Sequence, residues 1–175
     1  MAYIYHGVPE HMEGTTLYPL SVLADLHNDI FKTHQQKYAK RPRVLINAIP
    51  RLGCFWNDVL HFTAVKPQEL KEALVRAGVE RTLRFVEVDP VLLSGESTIV
   101  FLNKTKEGRE GVGNLDDFVD FDPYQIEQYG NIPQENEAYY RENADKGDEF
   151  LLFHNIPHIL YKGSFDIKGF PIITL

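Results

Sequence analysis

Two residues at the ends of predicted strands carry the side chains best placed for chemistry. His6 lies towards the end of the first predicted strand, and Gly7 beside it has no Cβ, so a ligand can approach the backbone closely. Glu149 opens a late predicted strand that follows a polar helix. A carboxylate at a strand end can stabilise a developing positive charge or accept a hydrogen bond from a ribose hydroxyl. His6 and Glu149 are therefore the first candidates for a catalytic pair.

A third strand supplies further polar side chains. His61 and Thr63 are two residues apart in the strand predicted over 58–65, so both face the same side of that strand. Together with His6 and Glu149 they would line one cleft. The alternative is that these residues are unrelated polar side chains at strand ends that serve only the fold.

The seven histidines raise the question of a metal site. His154 and His158 are four residues apart, the spacing that puts two imidazoles on one face of a helix. The apolar residues around them favour extended chain instead, where this spacing separates the two positions by about 13 Å. The acidic run 116–122 lacks the regular ligand pattern and the central glycine of a calcium loop. We therefore predict no metal site and expect surface or hydrogen-bonded histidines.

Cys54 is the only cysteine, which excludes an intrachain disulfide and a multi-cysteine zinc site. Nothing in the sequence places a histidine beside its sulfur, so we expect a buried structural cysteine. A hydrolase built on His61 with Asp58 or Cys54 is disfavoured, because positions 58 and 61 point to opposite faces of a strand. Trp56, the only tryptophan, introduces that strand, and an anchoring turn and a functional aromatic fit it equally well.

The segment 104–114 is rich in glycine and charge and follows a predicted strand. Such a loop can cradle a phosphate through its backbone N–H groups. Its glycines do not follow the order of the dinucleotide fingerprint, and no helix is predicted to open after it. A mobile surface loop is the favoured interpretation.

Two short motifs resemble the ADP-ribosyltransferase-fold family. Tyr5-His6-Gly7 on a first strand is similar to the opening strand of that family. The segment 147–152, followed by Ile156-Pro157, is similar to the late glutamate-bearing strand of some bacterial members that modify DNA or protein. The resemblance covers about twenty residues near the two ends of the chain.

The resemblance implies NAD as cofactor and a macromolecular target for the ADP-ribose. It implies that His6 contacts a ribose of NAD and that Glu149 stabilises the ribosyl cation as nicotinamide leaves. Gly7, His61 and Thr63 complete the expected cofactor contacts, with His61-Phe62-Thr63 in the place of the family's Ser-Thr strand motif. The tyrosine that stacks on nicotinamide in the family has no assigned counterpart in this sequence.

The pattern of apolar residues predicts an α+β fold in one domain spanning residues 1–175. We expect a mixed or antiparallel sheet of about six strands with two or three helices. The predicted helices begin near Pro19, at Pro67 and at Pro133, and the first is expected to run to about Lys40. The predicted strands cover 2–8, 58–65, 82–88, 97–102, 149–153, 157–161 and 171–174.

Composition limits the kinds of partner. The 175 residues carry a formal charge of -7, which disfavours broad, non-specific binding to nucleic acid or to an anionic membrane. The N-terminal residues lack the basic and apolar regions of a signal peptide, and no apolar run approaches the length of a membrane span. We therefore expect a cytoplasmic protein without a membrane partner.

Aromatic residues make up 12% of the chain, and no complete catalytic set is evident. The alternative function is therefore a non-catalytic α+β module that recognises a protein or a small ligand through an aromatic cleft. This alternative expects Trp56, Phe121, Tyr139 or Tyr140 in an exposed apolar patch.

Overall fold

The computed structural model describes residues 2–26, 31–32, 42–104 and 115–175. The α-helices in these ranges are α1 (Leu20–Leu26), α2 (Pro67–Arg76) and α3 (Glu135–Asp145). The strands are β1 (Ile4–Gly7), β2 (Thr16–Leu17), β3 (Ala48–Ile49), β4 (Cys54–Phe55), β5 (Val59–Phe62), β6 (Arg84–Val88), β7 (Thr98–Phe101), β8 (Phe118–Asp120), β9 (His158–Lys162), β10 (Phe165–Asp166) and β11 (Ile172–Thr174).

All strand pairs are antiparallel, which confirms the predicted α+β class. The two larger sheets have the strand orders β11-β6-β1 and β5-β9-β7-β8, and β2 with β10 and β3 with β4 form two-stranded ribbons. A single bridge between Tyr5 and Thr63 joins β1 to the end of β5. The two larger sheets therefore meet side by side, with β1 and β5 at the junction.

Alternation along the strands gives the joined sheets two different faces. On the ribbon face, defined as the side covered by β2 and β10, the core includes Ile4, Phe62 and Leu17. On the helix face, defined as the side covered by α2 and α3, one core cluster includes Tyr5 and Val65, and a neighbouring cluster includes Val59. Val59, Thr63 and Val65 are spaced by even numbers of residues, so both of these clusters lie on the same face.

Helix α2 shows why these residues fold locally as they do. Pro67 occupies the first turn, where its missing N–H costs no helical hydrogen bond. Leu70, Ala73 and Leu74 recur at helical spacing and are fully buried on the helix face. Burying a leucine side chain contributes about 1.5–3 kcal/mol, so this stripe holds α2 on the sheet. The helix ends before Gly78, whose φ of +76° suits glycine.

Several predicted elements are confirmed and some differ. The predicted first helix is confirmed over Leu20–Leu26, and its later part lies largely outside the described residues, as does most of the 104–114 loop. Short strands such as β8, which the sequence left unassigned, raise the strand count above the expected six. Among the described residues, no helix is long and apolar enough to cross a membrane.

The strand predicted over 149–153 is wrong. Residues 149–151 have no regular structure, and residues 152–155 form turns. Side chains of α3 provide the physical reason, because they bind backbone groups of this segment that a strand would need for its neighbour. The Tyr140 hydroxyl donates a hydrogen bond to the Leu152 carbonyl at 2.6 Å, and the Leu151 N–H donates to the Tyr139 hydroxyl at 3.0 Å.

Candidate functional site

Trp56, His61 and His158 form a group of partly buried rings on the helix face, which we call the Trp–His cluster. The ring centroids of Trp56 and His61 are 4.7 Å apart. The His158 ring lies 5.8 Å from the indole and 5.9 Å from the His61 imidazole. The Trp56 ring also meets the buried Phe101 ring edge-on at 5.4 Å. The cluster therefore brings two imidazoles and the only indole of the chain to one place.

Strand register places the two histidines together. His61 on β5 pairs with Leu160 on β9, and His158 is two residues before Leu160 on the same strand. Residues two apart on a strand share a face, so His61 and His158 both project from the helix face. On its other side His158 pairs with Phe101, whose ring lies 6.3 Å away and nearly parallel. The register of the sheet therefore fixes the relative positions of His61 and His158.

A short 3₁₀ turn at Trp56–Asp58 places the indole. The backbone N–H of Trp56 donates to the Asn47 carbonyl at 2.9 Å, and the Asp58 carboxylate accepts the backbone N–H of Phe55 at 2.8 Å. Asp58 therefore serves the turn that presents Trp56. The side-chain oxygen of Asn57 is buried and has no hydrogen-bond partner within the described part of the chain.

A hydrogen bond and burial together define the tautomer and the charge of the His61 imidazole. Its Nε2 lies 3.1 Å from the Trp56 carbonyl oxygen, and because a carbonyl only accepts, Nε2 carries the proton. Burial lowers the pKa of His61 to about 4, although the hydrogen bond to Trp56 acts in the opposite direction. At neutral pH His61 is therefore an uncharged imidazole whose Nδ1 lone pair is an acceptor.

The loop before β9 is held by buried polar side chains. The Asn136 amide donates to the His154 carbonyl at 2.7 Å, and the Asn103 amide donates to the Ile156 carbonyl at 3.1 Å. Burial raises the pKa of Tyr140 to about 12, so its hydroxyl stays protonated and donates to this loop. These bonds fix the chain immediately before His158 and thereby help to orient that residue.

The residues predicted as one cleft lie on two faces. His6 is on the ribbon face, where its ring meets Phe62 at 5.2 Å and its Nδ1–H donates to the Gly7 carbonyl at 2.7 Å. His61 and Thr63 share the helix face, as their spacing predicts. Thr63 is 2% exposed, and its hydroxyl oxygen accepts the Val65 N–H at 3.1 Å.

Glu149 is exposed at the start of the loop before β9. The side chains of Phe150, Leu152 and Phe153, which follow it, pack in the core of the helix face. This loop therefore belongs to the same face as His61. The ring of His6 lies on the opposite face, against Phe62.

Cys54 and the expected aromatic residues have distinct environments. Cys54 was expected to be buried but is only partly buried, and this partial burial raises the pKa of its thiol, which disfavours the reactive thiolate. Tyr140 and Phe121 are buried in the core, whereas Trp56 and Tyr139 are partly exposed. His154 stacks on Tyr139 with ring centroids 3.8 Å apart. Trp56 is therefore the aromatic residue that combines partial exposure with the two histidines of the cluster.

Sequence reasoning did not identify His158 as part of this site. The sequence shows His158 only as a neighbour of His154, whereas its structural neighbours are His61 and Trp56, about a hundred residues earlier.

Within the described ranges, no three metal-ligating side chains come together at this site or elsewhere. Comparison with protein-family models, curated proteins and solved structures finds no match for the chain.

Proposed function

We propose that this protein binds a small planar heteroaromatic ligand at the Trp–His cluster. The observation that carries the proposal is the meeting of the only tryptophan with two histidines in a partly exposed group. Binding sites combine aromatic surface with a few fixed polar groups. Here the indole supplies stacking surface, and the neutral His61 supplies an acceptor.

The stacking and the hydrogen bond favour the same class of ligand. An aromatic pair contributes about 0.5–1.5 kcal/mol beyond the burial of area, so the indole selects a flat ring. The Nδ1 atom of His61 accepts no hydrogen bond within the described part of the chain, and it suits an N–H donor on the ligand. A carboxamide-bearing ring such as nicotinamide meets both requirements, and NAD contains this ring.

Ligand-observed NMR tests this proposal with nicotinamide, adenine and NAD as probes. We expect saturation transfer from the protein to at least one of these rings, and weaker transfer in His61→Gln and His158→Gln. His11→Gln provides the matched control, because His11 is exposed on the loop after β1. Equal transfer in all three variants, or none with the wild-type protein, would contradict the proposal.

An NAD-dependent ADP-ribosyltransferase is the second candidate, and one observation favours it. Of the residues that the resemblance assigns, His61 and the loop that Glu149 begins share the helix face. In this proposal His61 helps to hold NAD, and the Glu149 carboxylate stabilises the ribosyl cation as the bond to nicotinamide breaks.

Release of nicotinamide from NAD tests the second candidate. We expect wild-type protein to release nicotinamide and Glu149→Gln to lose most of this activity. Glu142→Gln is the control, because Glu142 is an exposed residue of α3. His6→Gln shows whether the ribbon face takes part. Absence of nicotinamide release by folded wild-type protein would remove this candidate and leave the binding proposal standing.

A further inference from the structure

A second site lies on the other side of the sheet. A cavity of about 300 Å³ is lined by residues at the ends of β1, β6 and β11 and by residues beside β2 and β10. Its apolar wall includes Val8, Ile167 and Phe170, which belong to the ribbon-face core or pack against it. The cavity is therefore separate from the Trp–His cluster.

Arg84 is the polar centre of this cavity. One nitrogen of its guanidinium, Nη1, donates to the Pro9 carbonyl at 3.0 Å and to the Glu10 carbonyl at 2.6 Å. These two bonds fix the group and use two of its five N–H donors. Within the described part of the chain, no carboxylate forms an ion pair with Arg84. Three donors of a positioned cation are therefore left for a ligand.

The charged residues that line the cavity favour a ligand that carries a single negative charge. Lys168 contributes a second cation, and Glu10 contributes one carboxylate, so the three ionised lining residues give a net charge of +1. The Lys168 backbone N–H donates to Asp166 at 3.0 Å, which fixes the turn that carries Lys168. A single carboxylate suits this balance better than a phosphate dianion, because each further negative charge faces Glu10.

We propose that this cavity binds a compact monocarboxylate with an apolar tail. The guanidinium of Arg84 receives the carboxylate, since a planar guanidinium matches the two oxygens of a carboxylate in a bidentate arrangement. The apolar wall formed by Val8, Ile167 and Phe170 receives the tail. The volume is at the lower limit for ligand pockets, about 300–1,000 Å³, which restricts the ligand to a short tail.

NMR of the arginine Nε–H groups tests this proposal directly. Isobutyrate serves as the probe, isobutyramide as its uncharged isostere, and inorganic phosphate as an anion without a tail. We expect isobutyrate to shift the Arg84 Nε–H resonance in a saturable manner, with a Kd on the order of millimolar. We expect isobutyramide and phosphate to bind at least tenfold more weakly.

Three variants complete the test. Arg84→Gln should abolish the response, and it also assigns the resonance. Arg84 also binds the carbonyls of residues 9 and 10, so Arg84→Gln removes a contact of that loop as well as the proposed ligand contact. Lys168→Glu is therefore the second variant. Reversal of this exposed charge should weaken isobutyrate binding about tenfold. Lys146→Glu, at the far end of α3, should leave the Kd unchanged.

Four results of these titrations would contradict the proposal. No shift of Arg84 by isobutyrate at about 50 mM would overturn the proposal, since that excludes even weak millimolar binding. Equal affinity for isobutyramide would show that charge plays no part, and tighter binding of phosphate would assign a different class of ligand. An unchanged Kd in Lys168→Glu would also contradict the role of Lys168.

Discussion

Tyr5 and Thr63 exchange both of their backbone hydrogen bonds, with N–O distances of 2.8 and 2.9 Å, and so join the two larger sheets. This pairing sets the register of β1 against β5. It places His6 opposite Phe62, on the ribbon face, and leaves His61 on the helix face with Trp56. One pair of hydrogen bonds thus separates two histidines that the sequence assigned to a single cleft.

The low pKa of His61 makes a prediction about acid stability. The folded protein binds the proton with a pKa of about 4, whereas an unfolded chain binds it near the ordinary value of 6.5. Between these values the unfolded state binds more protons, so the stability that His61 confers above pH 6.5 is lost as the pH falls. The expected loss is about 3 kcal/mol between pH 7 and pH 4.

Denaturant unfolding of wild-type protein and His61→Gln at several pH values measures this effect. The stability of wild-type protein should fall more steeply below about pH 6.5 than that of the variant, because glutamine does not titrate. His11→Gln, which changes an exposed histidine, should follow the wild-type curve. Parallel curves for wild type and His61→Gln would show that the pKa of His61 is not lowered by folding.

Tyr140→Phe should destabilise the protein and loosen the loop before β9. The change removes the hydroxyl that donates to the Leu152 carbonyl at 2.6 Å and leaves that carbonyl without its donor. An unsatisfied buried polar group costs about 1–3 kcal/mol. Chemical denaturation should show a loss of this size, and hydrogen exchange should show faster exchange in residues 150–157.

Tyr139→Phe is the matched control for that change. Tyr139 is partly exposed, and its hydroxyl accepts the Leu151 N–H, so water can replace the lost bond more easily. We expect a loss of stability below about 1 kcal/mol. If both variants lost equal stability, burial of the Tyr140 bond would not be the reason for its contribution.

Gly130→Ala should destabilise the end of β5. A Cβ at position 130 would lie 3.0 Å from the Ala64 carbonyl oxygen, which belongs to the backbone and cannot rotate away. Overpacking of this kind costs about 1–3 kcal/mol. Thermal unfolding of Gly130→Ala and Gly95→Ala measures the difference, because a Cβ at Gly95 has no neighbour within 4 Å. Equal melting temperatures for the two variants would refute the close approach.

The strands that can be predicted from the sequence are those whose own residue types favour extended structure. β1, β5 and β6 are rich in β-branched and aromatic residues, and each lies within its predicted range. The segment 149–153, with two phenylalanines and two leucines, is also largely apolar but is not a strand. Its backbone is bound by Tyr139 and Tyr140, and these contacts depend on how α3 packs. No local pattern contains that information.

The candidate site was only partly predictable for a related reason. Alternation along one strand placed His61 and Thr63 on a shared face, because that relation is local. The contact of His61 with His158 depends on the register between β5 and β9, which are separated by about a hundred residues. Trp56 stands out in the sequence as the only tryptophan, but its partners His61 and His158 are brought to it only when the sheet forms.

Fluorescence of Trp56 tests the central claim most directly, because Trp56 is the only tryptophan and lies within the proposed site. Titration with nicotinamide, adenine and NAD should produce a saturable change in emission with at least one probe. The change should be absent or shifted to at least tenfold higher concentration in His158→Gln, and unaltered in His11→Gln. Free N-acetyltryptophanamide corrects for absorption and collisional quenching. An emission that changes with no probe beyond this correction, or identically in both variants, would contradict the assignment of the Trp–His cluster as a ligand site.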